Sequence, residues 1–387
     1  MKTAFSSRLI WDLQPNPISQ LLAAKRAAGA EILDLSQSNP TQAQLAFPTQ
    51  AIVEAFADPA LLRYDPNPAG TLEAREAVCR YYKGDVDPNR VLLTTSTSEA
   101  YGYLLKLLTD PGDEVLVPRP SYPLFDFLAG MELVSVAPYS LSYNGRWEVD
   151  FDSIRRQTTR RTRAVVLVNP NNPTGSFLHS NEVGLLIEHC KTHGIAVISD
   201  EVFADYGYGD GEDRVLSLRG VADVPVFCLS GLSKIAGLPQ MKLGWIVTGG
   251  PESWRKEVMI RLELIADTYL TVGTPVQVAA SKLLDIGGPV REQIRERTAR
   301  NLEALRTAVV RDSPFSLLNV EGGWYAVLQA ARVRSEEEWV LQLLERENVL
   351  VQPGFFYDFE SEAYLVLSLL TPAAIFDEGL ARIHRLA

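Results

Sequence analysis

Cysteine is scarce in this chain of 387 residues, which has only three, at positions 79, 190 and 228. They are far apart, so they form neither a disulfide framework nor a zinc knuckle, and unpaired thiols are typical of a reducing compartment. The sequence also lacks the run of ~20 apolar residues that crosses a bilayer, and its first residues lack the apolar core of a signal peptide. We therefore expect a cytoplasmic protein with no membrane partner.

Positive charge is in deficit. Lys and Arg together number 37 against 48 Asp and Glu, which gives a formal net charge of −11 and an isoelectric point near 5.0. Phosphate backbones repel such a chain, so we expect no nucleic-acid partner. The hydrophobic share of 46% and the charged share of 22% exclude wholesale disorder. The length suffices for one large α/β enzyme subunit with a sizeable core.

Between residues 90 and 250, short apolar runs alternate with helical stretches. Runs of Val, Ile and Leu suit strands that are buried on both faces. Residues 180–193 have apolar side chains at helical spacing, begin with Ser-x-Glu and end before Gly194. This alternation predicts an α/β fold with a doubly wound, mostly parallel sheet. The predicted strands are residues 91–95, 114–118, 133–136, 164–169, 195–199, 226–230 and 243–248.

The pattern changes after residue 250, where the spacing predicts two long helices over 251–286 and 289–311. A smaller α+β unit follows, and we expect a large domain over 50–280, a small domain over 281–387, and an N-terminal segment, 1–49, that packs on the small domain. The elements predicted for the small domain are a strand at 324–329, a helix at 335–347, strands at 349–351 and 364–369, and a helix from 372.

Two polar segments follow predicted strands at the edge where open α/β sheets bind ligands. Residues 94–100 are rich in hydroxyls and precede a predicted helix at 101–109. Free N–H groups at a helix start bind phosphate, although Ser and Thr also serve there as ordinary caps. Residues 169–175 contain two Asn-Pro steps and a Gly, which hold an Asn amide rigidly at the strand edge or simply form a turn.

Two ionisable side chains follow the next strands. Asp200 comes directly after the run 195–199, where a carboxylate is either functional or a cap or ion-pair partner. Lys234 follows the run 226–230, and a lysine at a buried sheet edge becomes an amine nucleophile for carbonyl groups, whereas an exposed loop lysine does not. A phosphate site, an Asn, an Asp and a Lys in this order suit pyridoxal 5′-phosphate.

With these motifs the chain resembles the class I/II aminotransferases, which are fold-type I pyridoxal-phosphate-dependent transferases, over nearly its full length. The resemblance implies an aminotransferase that moves an amino group between an amino acid or related amine and a 2-oxo acid through a Schiff base on Lys234. A lyase, decarboxylase or oxidase on the same fold is the alternative. The segments that carry the resemblance are residues 64–70, 118–122, 169–175, 200–202, 231–234, 322–325 and 351–354.

The resemblance also implies individual roles. Lys234 would form the Schiff base and shuttle protons, Asp200 would hold the pyridine nitrogen, and Asn172 would bind the 3′ oxygen. Tyr64 would reach the phosphate of the neighbouring subunit, so we expect a homodimer with shared active sites. The remaining implied cofactor contacts are ring stacking by Tyr122 and phosphate binding by Thr97, Ser98 and Lys242.

Four positions depart from the family pattern: Phe203 replaces a Tyr, Lys242 replaces a phosphate-binding Arg, Ser38 replaces a common Gly, and Val366 replaces the Arg that clamps the substrate carboxylate. Phe203 and Val366 motivate the alternative outcomes named above. Either another cation binds the carboxylate or the substrate is not a simple α-amino acid. The sequence leaves four candidate cations without ranking them, and these are Arg119, Arg261, Arg332 and Arg334.

A pair of histidines has the spacing of metal ligands. His189 and His193 lie four residues apart on the predicted helix over residues 180–193. His179 lies near the start of this helix and Glu188 is the acidic side chain beside the pair, and the pattern favours a solvated helix face. We expect no metal site.

We predict that Phe203→Tyr lowers the pKa of the Schiff base. Phe203 cannot donate a hydrogen bond to the phenolate oxygen of the cofactor, and this missing donor favours the protonated Schiff base. A spectral pH titration of the holoenzyme measures the pKa directly. Identical titration curves for the wild type and the variant would contradict the prediction.

Overall fold

The computed structural model describes residues 5–9, 11–211, 213–309 and 313–386. Its strands and helices follow one another in an α/β order. The strands are β1 (Leu33–Asp34), β2 (Val91–Thr94), β3 (Glu114–Arg119), β4 (Ser135–Tyr143), β5 (Trp147–Val149), β6 (Thr162–Val168), β7 (Leu178–His179), β8 (Ala196–Asp200), β9 (Arg214–Val215), β10 (Val226–Gly231), β11 (Gly244–Gly249), β12 (Phe315–Leu317), β13 (Tyr325–Ala330), β14 (Val349–Leu350), β15 (Gln352–Pro353) and β16 (Tyr364–Ser368).

The helices pack on both faces of the largest sheet and around the C-terminal sheet. Among the described residues, no helix is both long enough and apolar enough to cross a membrane. The α-helices are α1 (Pro17–Ala27), α2 (Thr49–Glu54), α3 (Leu72–Tyr81), α4 (Thr97–Leu108), α5 (Phe125–Met131), α6 (Phe151–Gln157), α7 (Ser180–His193), α8 (Leu232–Ile235), α9 (Glu252–Asp267), α10 (Thr274–Ala308), α11 (Glu336–Glu347) and α12 (Ala373–Leu386).

The largest sheet among the described residues has eight strands in the order β2-β11-β10-β8-β6-β3-β4-β5. The neighbours β10, β8, β6, β3 and β4 run parallel, whereas β11 is antiparallel to β10 and β2. Each strand predicted between residues 90 and 250 overlaps one strand of this sheet. The expected doubly wound, mostly parallel sheet is therefore confirmed.

Apolar side chains line both faces of this sheet, because alternate residues of a strand point to opposite sides. Val197 of β8 belongs to the buried cluster on one face, and its neighbours Ala196 and Ile198 belong to the cluster on the other face. Both faces are thus covered by helices, which explains why the strands read as continuous apolar runs rather than alternating ones.

Two long helices follow residue 250, but the predicted position of the break between them, at residues 287–288, is wrong. α10 runs continuously through Pro289, and the interruption falls earlier, between α9 and α10. There Leu270 has φ +48°, and Gly273 caps α10 with a proline just inside its first turn. Gly287 lies mid-helix because a Cβ atom there would come within 2.5 Å of the Cβ of Ala236. That glycine permits close packing and does not end the helix.

The C-terminal part forms an antiparallel sheet in the order β12-β13-β16-β15. From the N-terminal segment, β1 pairs with β14 and α1 packs on α11, while the Trp11 ring lies 4.8 Å from Phe127 of α5. The predicted boundary at residue 280 lies inside α10, which meets α3 at Ser281 and α12 at Arg300. The division into 1–49, 50–280 and 281–387 stays a prediction.

Glycines allow the loop before β13 to approach the large sheet closely. Gly322 forms an isolated bridge with Gly207, and a Cβ atom on Gly322 would lie 2.6 Å from the Tyr206 carbonyl oxygen. A Cβ atom on Gly175 would lie only 2.4 Å from the Gly322 carbonyl oxygen. Backbone meets backbone here, so side chains have no room to adjust.

We predict that Gly175→Ala lowers the free energy of unfolding by about 2 kcal/mol or more, because alanine must adopt φ +71° and also contact the Gly322 carbonyl. Urea denaturation measures the change. Gly184→Ala in α7 is the matched control, since nothing lies within 4 Å of its Cβ position and alanine is the better helix former. Equal stability of the two variants would contradict the packing argument.

Candidate functional site

Strand register gathers the polar segments at one edge of the large sheet. Val168 of β6 lies opposite Asp200 of β8, and Asp200 lies opposite Leu229 of β10. Gly231 at the end of β10 pairs with Gly244 of β11, which also pairs with residue 94 of β2. A Cβ atom on Gly231 would lie 2.8 Å from the Leu243 carbonyl oxygen, so glycine permits this close pairing just before Lys234.

Lys234 lies in α8 at this edge, and its amine lies over two aromatic rings. The Nζ atom is 5.0 Å from the centre of the Trp324 ring and 5.5 Å from that of Phe203. Burial lowers the pKa of Lys234 to about 8, although the Asp200 carboxylate opposes this shift. The Tyr206 hydroxyl donates a hydrogen bond to the Lys234 carbonyl oxygen at 2.6 Å. The Tyr206 hydroxyl is therefore bound to the backbone, and the side chain beside the amine is the phenyl ring of Phe203.

Asp200 is buried, and its carboxylate accepts two hydrogen bonds from described residues. The Val202 N–H donates to Oδ1 at 3.2 Å, and the Tyr101 hydroxyl donates to Oδ2 at 3.3 Å. Burial raises the pKa of Asp200 to about 6, although the two hydrogen bonds and the charge of Lys234 act in the opposite direction. The carboxylate is thus ionised at neutral pH, and two donors fix its orientation. Nothing in the local sequence points to Tyr101, since only the packing of α4 on the sheet reveals its contact with Asp200.

The three asparagines of the loop 169–175 differ in their partners. The Asn169 side chain donates to the Val215 carbonyl oxygen at 2.7 Å and accepts from the residue 178 N–H at 2.9 Å. Asn171 donates to the Pro120 carbonyl oxygen at 3.0 Å. By contrast, Oδ1 of Asn172 is buried and has no hydrogen-bond partner in the described part of the chain. Two amides are structural, and the third is free to meet a ligand.

The hydroxyl-rich segment forms the start of α4, not a turn before it. The helix begins at Thr97, four residues earlier than predicted, and Ser96 is its cap, accepting from the Glu99 N–H at 3.2 Å. The N–H groups of Thr97 and Ser98 belong to the first turn, which has no intrahelical partner for them. The capping interpretation is therefore right for Ser96, and the two following residues can bind an anion.

Lys242 lies close to this helix start. It is exposed, has φ +52°, and ends a short 3₁₀-helix two residues before Gly244, which pairs with residue 94. A Cβ atom on Gly244 would lie 3.3 Å from the Ser96 backbone, so the Lys242 ammonium group is within reach of an anion at the start of α4. Lysine supplies a point charge there and not the bidentate fork of an arginine.

The two candidate tyrosines lie apart from one another. Tyr122 is 49% exposed and follows Ser121, whose N–H donates to the Tyr357 carbonyl oxygen at 2.9 Å, so it lies where the large sheet meets the C-terminal unit. Tyr64 is 76% exposed beside a recess lined by residues such as Tyr103 and Gln277. Among the described residues, no hydrogen bond connects Tyr64 to Lys234.

Two of the four substituted family positions, Phe203 and Val366, lie in one apolar cluster that also contains Trp324, the ring over which Lys234 lies. Phe203 is buried and packs edge-on against Trp324 with 5.2 Å between ring centres. Val366 of β16 pairs with Val327 of β13 and is fully buried in the same cluster. The wall next to the amine is therefore neutral. The role of Trp324 was not assigned from the sequence, although the Gly-Gly-Trp-Tyr segment was noted.

The arrangement combines four chemical capacities. Lys234 is an amine that loses its proton near pH 8, and Asp200 is a buried, oriented carboxylate. Asn172 offers an unpaired amide, and the start of α4 offers an anion site. In the residues that the structure describes, no cluster of three His, Cys, Asp or Glu side chains could hold a metal ion. The site suits covalent binding of an aldehyde that carries a phosphate.

Known proteins share both the sequence pattern and the fold. The sequence model of the family "Aminotransferase class I and II" matches residues 30–380. Glutamate-pyruvate aminotransferase AlaA of Escherichia coli is 26% identical over 351 residues, which cover 86% of this chain and 84% of AlaA. An alanine aminotransferase of Mycobacterium tuberculosis is 28% identical over 378 residues, covering 92% and 85% of the two chains.

Solved structures agree with this match. The alanine aminotransferase from Pyrococcus furiosus superposes with a TM-score of 0.87 at 26% identity, covering 99% of each chain. An Escherichia coli aminotransferase superposes with a TM-score of 0.85 at 24% identity, covering 100% of this chain and 98% of its own. The expected fold-type I architecture is confirmed. The chain belongs to the class I and II aminotransferase family and is a transaminase.

Proposed function

We propose that this aminotransferase uses pyridoxal 5′-phosphate, which Lys234 holds covalently. The observation that carries the proposal is the amine of lowered pKa beside the buried Asp200, with the partnerless amide of Asn172 on the neighbouring strand end. A buried polar atom without a partner is costly, so a ligand atom is expected to complete it. The donor set fits an aromatic ring that carries an N–H, a phenolic oxygen and a phosphate.

Each polar group of the site would hold one part of the cofactor. Asp200, oriented by Tyr101, accepts from the ring N–H, and Asn172 donates to the 3′ oxygen. The orientation of a side-chain amide follows its hydrogen bonds, so Asn172 can turn its NH₂ to that oxygen. Tyr122 covers the ring face. The phosphate is bound by the first-turn N–H groups of Thr97 and Ser98 and by Lys242.

The bound ring supplies an electron sink for the bond next to the substrate nitrogen. Asp200 keeps its charge at neutral pH and so holds the ring N–H in place. With the cofactor bound, Lys234 would hold or release a proton at its Nζ atom and so act as the base and acid at the substrate carbon. A lysine whose pKa lies near the working pH is suited to both directions of this transfer. Phe203 and Trp324 exclude water from the amine.

We propose an amino acid as donor and a 2-oxo acid as acceptor. The relatives are named for glutamate, pyruvate and alanine, and the family match favours transamination over lyase, decarboxylase or oxidase chemistry. The neutral wall around Phe203 and Val366 accepts apolar groups.

We also propose a cytoplasmic location. The three cysteines are buried and unpaired, which is consistent with a reducing cytoplasm.

We also propose a homodimer in which Tyr64 serves the partner's site. Tyr64 is 76% exposed, as expected of a side chain that acts outside its own subunit. Leu62, beside it in the chain, and Ile260 and Leu264 of α9 are also exposed. Four residues that follow α9 line the same recess as Tyr64, and these are Leu270, Thr271, Val272 and Thr274. Covering these apolar side chains favours association of two subunits.

We predict that pyridoxal phosphate attaches to the apoprotein at a rate that rises with pH to a plateau, with a midpoint near pH 8. Below that pH the Lys234 amine is protonated and cannot attack the aldehyde. Asp200→Asn shifts the midpoint to lower pH, because it removes the carboxylate that raises the lysine pKa. Stopped-flow absorbance at several pH values measures both midpoints.

The attached residue is identified by borohydride reduction followed by peptide mass mapping. Lys234→Arg keeps the charge but abolishes labelling, whereas Lys242→Arg leaves the label on residue 234. A midpoint near the ~10.4 of free lysine, or a label on another lysine, would contradict the assignment.

We predict that Tyr64→Phe weakens binding of pyridoxal phosphate roughly 10-fold or more, because a hydrogen bond to a charged group contributes ~1.5–3 kcal/mol. The cofactor dissociation constant is measured by equilibrium dialysis. Tyr143→Phe, at an exposed tyrosine that ends β4, is the control. Sedimentation of the wild type as a monomer, or unchanged affinity in Tyr64→Phe, would rule out a shared site.

A further inference from the structure

The proposed substrates carry a carboxylate that the described site does not neutralise. Val366 is fully buried and is surrounded by side chains such as Tyr325 and Val327. Placing a carboxylate next to such a wall without a positive partner is costly. Lys234 and Lys242 are already assigned to the cofactor. A further cation must therefore reach the cleft, by which we mean the space between the Lys234 edge of the large sheet and the sheet that contains β13 and β16.

Three of the candidate arginines lie elsewhere. Arg261 is on the exposed face of α9 and pairs with Glu257 at 2.6 Å. Arg334 lies over the Trp339 ring at 4.5 Å, and although its Nη1 atom is also buried without a hydrogen-bond partner among the described residues, that ring holds it away from Tyr325. Arg332 is exposed, and both it and Arg334 follow the end of β13 that is opposite to Tyr325. None of these three is placed to meet a substrate beside Lys234.

Arg119, the last residue of β3, has an unusual environment. Its Nε atom is buried and has no hydrogen-bond partner in the part of the chain that the structure describes. Asp358 is its ion-pair partner, but the distance from Nε to Oδ2 is 3.8 Å, which is too long for a hydrogen bond. The side chain is 36% exposed. The guanidinium is therefore held in place but keeps free donors.

Backbone contacts of the two residues after Arg119 connect the end of β3 to both neighbouring segments. The carbonyl oxygen of the next residue, Pro120, accepts a hydrogen bond from Asn171, the neighbour of Asn172. The residue after that, Ser121, donates to the Tyr357 carbonyl oxygen. The Tyr357 ring is 6.4 Å from Tyr325, which belongs to the same buried cluster as Val366. The chain that follows Arg119 thus lies between the Asn172 loop and the wall that contains Val366, and the Arg119 guanidinium extends from its start toward Asp358.

We infer that Arg119 binds the substrate carboxylate, in place of an arginine at position 366. The inference rests on the proposed function and names the specificity residue of the same site. A guanidinium presents two parallel N–H donors to a carboxylate, and the donor and the acceptor of a transamination both offer that group. The cation that recognises the substrate therefore lies on the large sheet rather than on β16.

Asp358 limits the affinity of Arg119 for a substrate. It lies on the segment that follows Tyr357 and competes for the same guanidinium. Asp126 lies near both groups, and its own burial together with the charge of Asp358 raises the pKa of Asp126. The substrate carboxylate must therefore share Arg119 with Asp358. Removing the Asp358 charge should strengthen substrate binding.

The test compares two amines that differ by one carboxylate, L-alanine and ethylamine. The cofactor absorbance of the holoenzyme follows the half-reaction with each. In Arg119→Met the half-saturating concentration of L-alanine rises about 10- to 100-fold, the loss expected for a hydrogen-bonded charge pair. The reaction with ethylamine does not change. Arg119→Lys keeps the charge but lacks the two parallel donors of a guanidinium. Its half-saturating concentration of L-alanine is therefore expected between those of the wild type and Arg119→Met.

Three further variants sharpen the test. Arg334→Met is the matched control, and it leaves the half-reactions with both amines unchanged. Asp358→Asn lowers the half-saturating concentration of L-alanine severalfold. Val366→Arg, added to Arg119→Met, restores the discrimination between L-alanine and ethylamine, which also shows that the double variant is folded.

The inference is overturned if L-alanine and ethylamine are affected equally by Arg119→Met. It is also overturned if the wild type does not prefer L-alanine to ethylamine. Borohydride labelling of Lys234 is measured on the same samples and depends only on the cofactor site. A failure of the carboxylate assignment with intact labelling is therefore distinguishable from a failure of the proposed function.

Discussion

The buried pair of Lys234 and Asp200 is the interaction on which the site depends. Burial disfavours the charged form of each group, while each charge favours the charged form of the other. The balance leaves an ionised acid beside an amine that releases its proton in the physiological range. To place both groups at one sheet edge, β8 and β10 must be neighbours, and the chain after β10 must turn without a side chain at Gly231.

The sequence predicted the parts of the fold that rest on local rules. The bounds of α7 were predicted correctly, because capping signals stand at both ends, and the buried strands were found from their apolar runs. The break after α9 was missed, since Gly287 and Pro289 look like a helix end although the glycine serves packing against Ala236. The register that brings residues 94, 231 and 244 together was beyond local rules.

The candidate site likewise contains residues that local sequence identifies and residues that only long-range contacts identify. Lys234, Asp200 and Asn172 could be named because each follows a strand of a parallel sheet, whose ends meet at one edge. Tyr101 and Arg119 could not be assigned roles, because their contacts join residues far apart in the chain. Nor could the sequence show that the Tyr206 hydroxyl is occupied by the Lys234 carbonyl, which depends on how the chain turns after Phe203.

The cleft has two walls, and this explains how the cation that binds the carboxylate can lie on β3 instead of β16. One wall is the edge of the large sheet, and the other is the sheet that contains β13 and β16. The Gly175–Gly322 contact fixes the distance between them, because backbone meets backbone there. A carboxylate held between two walls at fixed spacing can be neutralised from either one. An apolar Val366 is then tolerated on β16 as long as β3 supplies the positive charge. The apolar side chains beside Lys234 can therefore continue to exclude water.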